Sequence, residues 1–284
     1  MDGMNRNRIG PNAWLHHLQL TADEPEQLAD YYARTMRMRR SSLCDVQMCE
    51  APARRILFAK GPKRQAAFSA FAFETAEALA AYRARVMQAG LVPAASPSPL
   101  FDDTAFSTTD PDGNCLVFGT AGRDNPAPDD TPDARLQHVT LRSKSLPPLV
   151  DYYTDKLGFY LADVVSAEKE ADMRTAFLAS DPEHHSLAVF KADSRLLDHH
   201  SYELSGWDRI RDWADHFASL GQTLRWGPGR HGPGNNLFLF IEDPEGNWIE
   251  LSAEIEVMRE GRKTGQWVHC PRTLNLWGDA VMRS

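Results

Sequence analysis

Histidine is missing from one long stretch of this 284-residue chain: none occurs between residues 18 and 137, although ten are present. Cysteine is scarce too. The four cysteines, Cys44, Cys49, Cys115 and Cys270, have no spacing of a zinc ribbon or a redox pair, and they are too few for a disulfide framework, which points to a reducing compartment. No apolar run approaches the roughly 20 residues needed to cross a bilayer. The start, MDGMNRNRIGPN, lacks the apolar core of a secretory signal. There is no long basic run, and the formal net charge is -8. These absences argue against a membrane and against nucleic acid as partners, and they lead us to expect a cytoplasmic protein.

What is present is largely written twice. LHHLQL (15–20) resembles LQHVTL (136–141), and LADYYARTM (28–36) resembles LVDYYTDKL (149–157); both pairs are offset by 121 positions, as 136 − 15 and 149 − 28 show. FAFETAEALAAYRARVMQAG (71–90) matches YELSGWDRIRDWADHFASLG (202–221), with an offset of 131 (202 − 71). DPDGN (110–114) matches DPEGN (243–247), with an offset of 133 (243 − 110). A fixed order with a slowly drifting offset describes a duplicated domain, and the period is far too long for a solenoid. AGRDNPAPDDTPDA (121–134), rich in Pro and Asp, reads as the join. The expected division is residues 1–122, a linker at 123–135, and residues 136–284.

Within each half a short strand precedes an amphipathic helix, and several strands follow. After Gly206 the apolar residues Trp207, Ile210, Trp213, Phe217 and Leu220 recur in steps of three and four, the stripe of a half-buried helix. NNLFLFIEDPEGNWIEL reads as two strands around a tight turn set by Pro and Gly. The unit occurs twice per half. The expected fold class is α+β: two tandem domains, each of two βαβββ units forming a half-open barrel around a pocket.

The histidines separate the halves. Eight of the ten lie at position 138 or later, so they do not belong to the shared structural plan. Alternation puts Leu136 and Thr140 on the face of His138, and Ser201 and Glu203 on the face of His199, with His200 opposite. Glu250 points away from its apolar neighbours Ile249 and Leu251. Two histidines and one carboxylate from separate strands make the facial triad that suits non-haem Fe(II), leaving coordination positions open. The competing account is two satisfied core histidines and an edge-strand charge. The first half lacks the set: His17 matches His138, but about Phe68 stands for His199 and Val117 for Glu250. It reads as a copy without a metal site.

Taken in order, LQHVTL, HHSLAVF, LDHHSYEL, GRHGPGNN and DPEGNWIEL resemble the type I extradiol ring-cleavage dioxygenases, the catechol 2,3-dioxygenase group of the vicinal oxygen chelate superfamily. The resemblance covers roughly residues 13–255 and is sharpest from 136 to 251. It implies metal ligands at His138, His199 and Glu250, catalytic histidines at His185 and His231, Fe(II) with Mn(II) as a substitute, a catechol-type aromatic substrate and O2, and a homo-oligomer active in aromatic catabolism. His184 is the rival of His185. The chain departs from the family at Phe240, where a tyrosine is usual; we expect Phe240 in the pocket wall. Trp248 shares the face of Glu250 and is a second candidate for the substrate pocket. The tail QWVHCPRTLNLWG is expected to pack on the barrel or a neighbouring subunit. Two other readings remain open: a non-oxidative metalloenzyme of the same fold (an isomerase or thiol-transferase), and a metal-free small-molecule binding protein.

Overall fold

The computed structural model describes residues 9–124, 133–167 and 172–282; most of the expected join, and the first eight residues, lie outside them. The first half runs β1 (Trp14–Ala22), α1 (Pro25–Thr35), β2 (Arg39–Leu43), β3 (Val46–Ala51) and β4 (Arg54–Lys60). It continues as β5 (Gln65–Phe73), α2 (Ala76–Gln88), β6 (Ala94–Ala95), β7 (Phe106–Thr109) and β8 (Cys115–Thr120). The second half repeats this as β9 (Arg135–Ser143), α3 (Pro147–Asp151) with a π-turn Tyr152–Lys156, β10 (Tyr160–Ser166), β11 (Met173–Ala179) and β12 (Leu187–Lys191). Then come β13 (Leu196–Leu204), α4 (Trp207–Ser219), β14 (Trp226–Arg230), β15 (Leu237–Glu242) and β16 (Trp248–Ala253). A tail adds β17 (Gly265–Val268) and the short α5 (Pro271–Leu274).

Each half forms its own sheet. The orders are β2-β3-β4-β1-β5-β8-β7-β6 and β14-β15-β16-β13-β9-β12-β11-β10-β17. In both, the first strands of the two units pair antiparallel at the centre, and each also pairs parallel with the last strand of its own unit. The strand-helix-strands unit thus occurs four times, as the repeats required. One face of each sheet carries the helices over a shared apolar core, and the other face of the second sheet borders the cavity described below.

Two details of the sequence reading are corrected. In α4, Ile210, Trp213 and Phe217 are fully buried, worth about 1.5–3 kcal/mol each by their apolar area, but Trp207 and Leu220 at the helix ends are 44% and 40% exposed. Simple alternation also fails in β9. His138 stands opposite Ser201, but Leu136 stands opposite Tyr202, so Gln137 is an extra residue in the ladder. The bulge sends Leu136 to the helix-side core, away from His138.

The halves interlock through their two most similar motifs. The DPxGN turns fold around their aspartates: Asp110 and Asp243 each accept the Nδ2 of the turn asparagine and two backbone N–H groups. Each aspartate then receives a tyrosine from the opposite half. Tyr32 Oη donates to Asp243 (3.2 Å) and Tyr153 Oη to Asp110 (2.8 Å). Glu245 reaches the start of α1 and accepts the backbone N–H of Asp23 (2.9 Å) and Glu24 (2.8 Å), a carboxylate at a helix N-terminus supplied from the other half. Glu245→Ala should lower stability by about 1–2 kcal/mol, read as an earlier midpoint in urea unfolding; an unchanged midpoint would show the cap to be idle.

Candidate metal centre

His138 comes from β9, His199 from β13 and Glu250 from β16, three strands adjacent in the second sheet. His138 and Glu250 both stand opposite Ser201, so register alone brings them together. Glu250 Oε2 lies 3.0 Å from His138 Nε2 and 3.5 Å from His199 Nε2, and the two nitrogens are 3.2 Å apart. All three side chains are buried, and among the described residues this is the cluster able to hold a metal ion. Donors bonded at about 2.1 Å to one ion lie about 3.0 Å apart when cis on an octahedron and about 3.4 Å apart on a tetrahedron. Two of the observed separations, 3.0 and 3.2 Å, fall in that range, and the third, 3.5 Å, lies just beyond it.

Hydrogen bonds behind the rings fix which nitrogen faces the cluster. Nδ1 of His138 donates to Gln137 Oε1 (2.6 Å). The Gln137 amide is itself oriented, because its nitrogen donates to Glu183 (3.1 Å) and to the His185 carbonyl (2.7 Å). Nδ1 of His199 donates to Asp198 Oδ1 (2.6 Å), and Arg142 holds the other oxygen of Asp198 (2.7 Å). With each hydrogen on Nδ1, both Nε2 lone pairs turn toward Glu250. Burial pushes the His138 imidazole below its usual range, which keeps it neutral. Glu250 is buried with the two histidines, and only when ionised do both of its oxygens act purely as acceptors. Neutral imidazoles and an ionised carboxylate are the donor forms a divalent cation requires.

The backing residues Gln137 and Asp198 precede their histidines directly, where a regular strand would aim them at the opposite face. Both occupy bulges, at Leu136/His138 and Leu197/His199. Sequence reasoning missed Gln137 and Asp198; the signal was a polar residue directly before each ligand-type histidine. The first half keeps both bulges and none of the chemistry. Its bulged residues are His16 and Ala67. His17 stands opposite Ala70, and Ala70 opposite Val117, as His138, Ser201 and Glu250 are linked in the second half. Phe68, Ala70 and Val117 form a small apolar cluster there, and His17 Nε2 is engaged by Ser98 Oγ (2.7 Å).

The cluster opens on a cavity that encloses, with its mouth, about 570 Å³. His185 and His231 both line it. The His185 ring is 4.4 Å from that of His138, and burial drives its imidazole well below the usual range. His231 Nδ1 donates to the Leu274 carbonyl (2.6 Å), so its Nε2 turns inward, 3.4 Å from Glu250 Oε1. His184 is buried behind His185, away from the cavity. Phe240 stands directly opposite Glu250 across the β15–β16 hairpin and meets the His199 ring edge-on at 5.3 Å. Trp248 is not in the cavity wall. It starts β16 and packs behind Phe240 (5.5 Å), so sharing a face with Glu250 left it one step outside. The tail does more than pack: Thr273, Leu274 and Val281 line the cavity, and Asn236 reaches Glu250 Oε1 (3.4 Å) from the loop after His231. His200, also buried, faces away and meets Tyr32 Oη at 2.9 Å.

Residues 135–251 match the Glyoxalase/Bleomycin resistance protein/Dioxygenase superfamily, a span that contains all three donors. Metapyrocatechase 2 of Cupriavidus necator is 33% identical over 130 residues, 45% of this chain and 39% of that protein. The matched stretch therefore spans less than half of the curated relative's length. Over the whole chain the fold is that of two solved structures. The Mn(II)-bound glyoxalase from Novosphingobium aromaticivorans is 21% identical, with a TM-score of 0.79 over 96% of this chain and 91% of that one. Homoprotocatechuate 2,3-dioxygenase from Brevibacterium fuscum, solved with 3,4-dihydroxyphenylacetate, is 18% identical, with a TM-score of 0.80 over 96% and 91%.

The geometry gives a direct test by metal analysis. Glu250→Gln should abolish stoichiometric binding of a divalent ion, and Asp198→Asn should weaken it about 10- to 100-fold in chelator competition. His17→Ala should bind as wild type does; loss of metal there would mean that the first half holds it.

Proposed function

We propose that this chain is an Fe(II)-dependent extradiol dioxygenase that cleaves a catechol-type aromatic ring beside its two hydroxyls and places both atoms of O2 in the product. The observation that carries this reading is the combination of a two-histidine, one-carboxylate donor face with two further histidines on the same small cavity. A Lewis-acid site for isomerisation needs no such pair. Relatives named metapyrocatechase and a fold neighbour solved with a dihydroxyphenyl acid support the substrate class. In this reading His138, His199 and Glu250 hold the ion, and Mn(II) is a possible substitute.

His138, His199 and Glu250 would hold Fe(II), which when bound would supply Lewis acidity and redox chemistry toward a catechol and O2. The chain's own residues supply the rest. His231, with its hydrogen on Nδ1, turns a basic Nε2 inward to receive a hydroxyl proton. His185, buried and neutral, is the group to hold a second proton and return it to oxygen. Phe177, Phe190, Trp226, Phe240 and Leu274 keep the cavity apolar, which favours a flat ring over a charged ligand. Phe240 offers no hydrogen bond, and its stacking on Trp226 (14° between planes) makes that wall apolar. A homo-oligomer in the reducing cytoplasm completes the reading; the thiols of Cys44, Cys49 and Cys115 form no disulfide.

Oxygen uptake with a panel of catechols, on protein loaded anaerobically with Fe(II), tests it. One O2 consumed per ring cleaved is expected. His185→Ala and His231→Ala should retain iron and lose about 10²- to 10⁴-fold in rate. Phe240→Tyr, by restoring a donor worth about 1.5–3 kcal/mol to a charged species, should speed turnover of plain catechol about ten- to hundredfold. A metal-loaded wild type that takes up no oxygen with any catechol, and gains none from Phe240→Tyr, would overturn the dioxygenase reading and promote the non-oxidative metalloenzyme.

A further inference from the structure

His184 and Asp163 lie outside the cavity, yet they connect directly to it. His185 Nδ1 is 3.0 Å from His184 Nδ1, with the two rings nearly perpendicular at 89°. On its far side, His184 Nε2 is 3.0 Å from Asp163 Oδ2. Asp163 is gripped by the tail: its Oδ1 accepts Arg262 Nη2 (2.9 Å) and the backbone N–H of Gly265 (3.1 Å), and its Oδ2 accepts Trp267 Nε1 (2.7 Å). Exposure is 1% at Asp163, 0% at His184 and 4% at His185, so all three lie away from bulk solvent.

We propose that Asp163 and His184 are positioning residues that put the hydrogen of His185 on Nδ1 and so turn a hydrogen-free Nε2 toward the cavity. The directions follow from donor capacity. A carboxylate held by a guanidinium, an indole and a backbone N–H can only accept. The contact is not aligned as a hydrogen bond, but a bare Nε2 would still set two negative partial charges 3.0 Å apart in a buried site, whereas an N–H there is attracted to the carboxylate, so the hydrogen of neutral His184 sits on Nε2. His184 Nδ1 is then an acceptor, and one hydrogen must lie between it and His185 Nδ1 at 3.0 Å. That hydrogen belongs to His185. The arrangement is the one behind His138 and His199, where an acceptor next to Nδ1 frees Nε2, but here the acceptor is a second imidazole backed by a carboxylate.

Packing keeps both links close. A Cβ at Gly265 would meet Asp163 Oδ1 at 2.3 Å, so glycine lets this backbone reach the carboxylate. Gly234, at φ +72°, passes so near that a Cβ would stand 3.0 Å from His184 Nδ1. Strand β17 pairs with β10 so that Gly265 is the partner of Asp163. The tail segment thus completes a line from Arg262 and Trp267 to the cavity. The inference rests on the dioxygenase reading for its consequence: a hydrogen-free Nε2 can take a proton from a catechol hydroxyl and return it to a product oxygen, with no net change in the relay.

Nitrogen-15 NMR of histidine-labelled full-length protein, loaded with diamagnetic Zn(II), separates ring nitrogens that carry a hydrogen from those that do not. Wild type should show His185 with its hydrogen on Nδ1. Asp163→Asn, whose amide can donate to His184 Nε2, should reverse both rings and put the His185 hydrogen on Nε2. In the iron-loaded enzyme the same variant should lose about ten- to hundredfold in kcat, with KM for catechol changed less than about twofold. Should Asp163→Asn fold poorly, His184 variants carry the test. His184→Gln offers both an acceptor and a donor and should keep the wild-type tautomer and most of kcat, whereas His184→Leu should lose both. A wild-type His185 with its hydrogen on Nε2, or an Asp163→Asn protein with an unchanged tautomer, would overturn the relay. If the tautomers behave as stated and iron-loaded wild type consumes no oxygen, the relay stands and the dioxygenase reading falls.

Discussion

Three electron-rich atoms held against one another in a dry interior organise the second half of this protein. His138 Nε2, His199 Nε2 and Glu250 Oε2 approach to between 3.0 and 3.5 Å, and the hydrogens of both rings point outward. Such a cluster repels itself unless a cation sits among the donors. Each element around it prevents the repulsion from relaxing. Gln137 and Asp198 keep the rings from turning, Arg142 and Glu183 keep those residues in place, and the β13–β16 ladder fixes the carboxylate at the height of the histidines. The cost of this preorganisation is met by the apolar core on the helix side of the same strands.

Much of this was legible in the chain because duplication supplies an internal control. Wherever the halves agree, the residue serves the shared fold, as the DYY and DPxGN motifs do. Wherever they differ sharply in chemistry, as at Val117 and Glu250, the residue serves only one half. That contrast, with strand alternation, was enough to group His138, His199 and Glu250; Phe240 was singled out by the family resemblance. It failed where a residue count departs from the pleat. A bulge adds one residue to a strand without marking it in the hydrophobic pattern, so Leu136 was expected beside His138, and the backing roles of Gln137 and Asp198 were invisible. The tail has no counterpart in the first half and hence no control, which is why its part in the cavity wall could not be read. Trp248 shows a further limit: alternation gives the face of a side chain, but not how far along the strand the cavity extends.

The first half shows what a vacated site needs in order to remain a stable core. Removing ligands without filling the space would leave a cavity, and leaving a carboxylate without its cation would bury an unpaired charge. Here Phe68 and Val117 occupy the positions of the absent donors, and the one remaining histidine is satisfied by Ser98. The two bulges survive because they belong to the curvature of the sheet rather than to the ions it can hold.

The exchanged tyrosines bear on how such a chain can change over time. Tyr32 answers to Asp243, 211 positions away, and Tyr153 to Asp110 in the opposite sense. Each half therefore closes the other's tightest turn. A lineage that deleted the first half would keep all three donors and lose the partner that holds the strand beneath them in register. Once duplicated, the two copies were free to diverge in chemistry but bound in architecture, and the first half persists as the other's structural creditor.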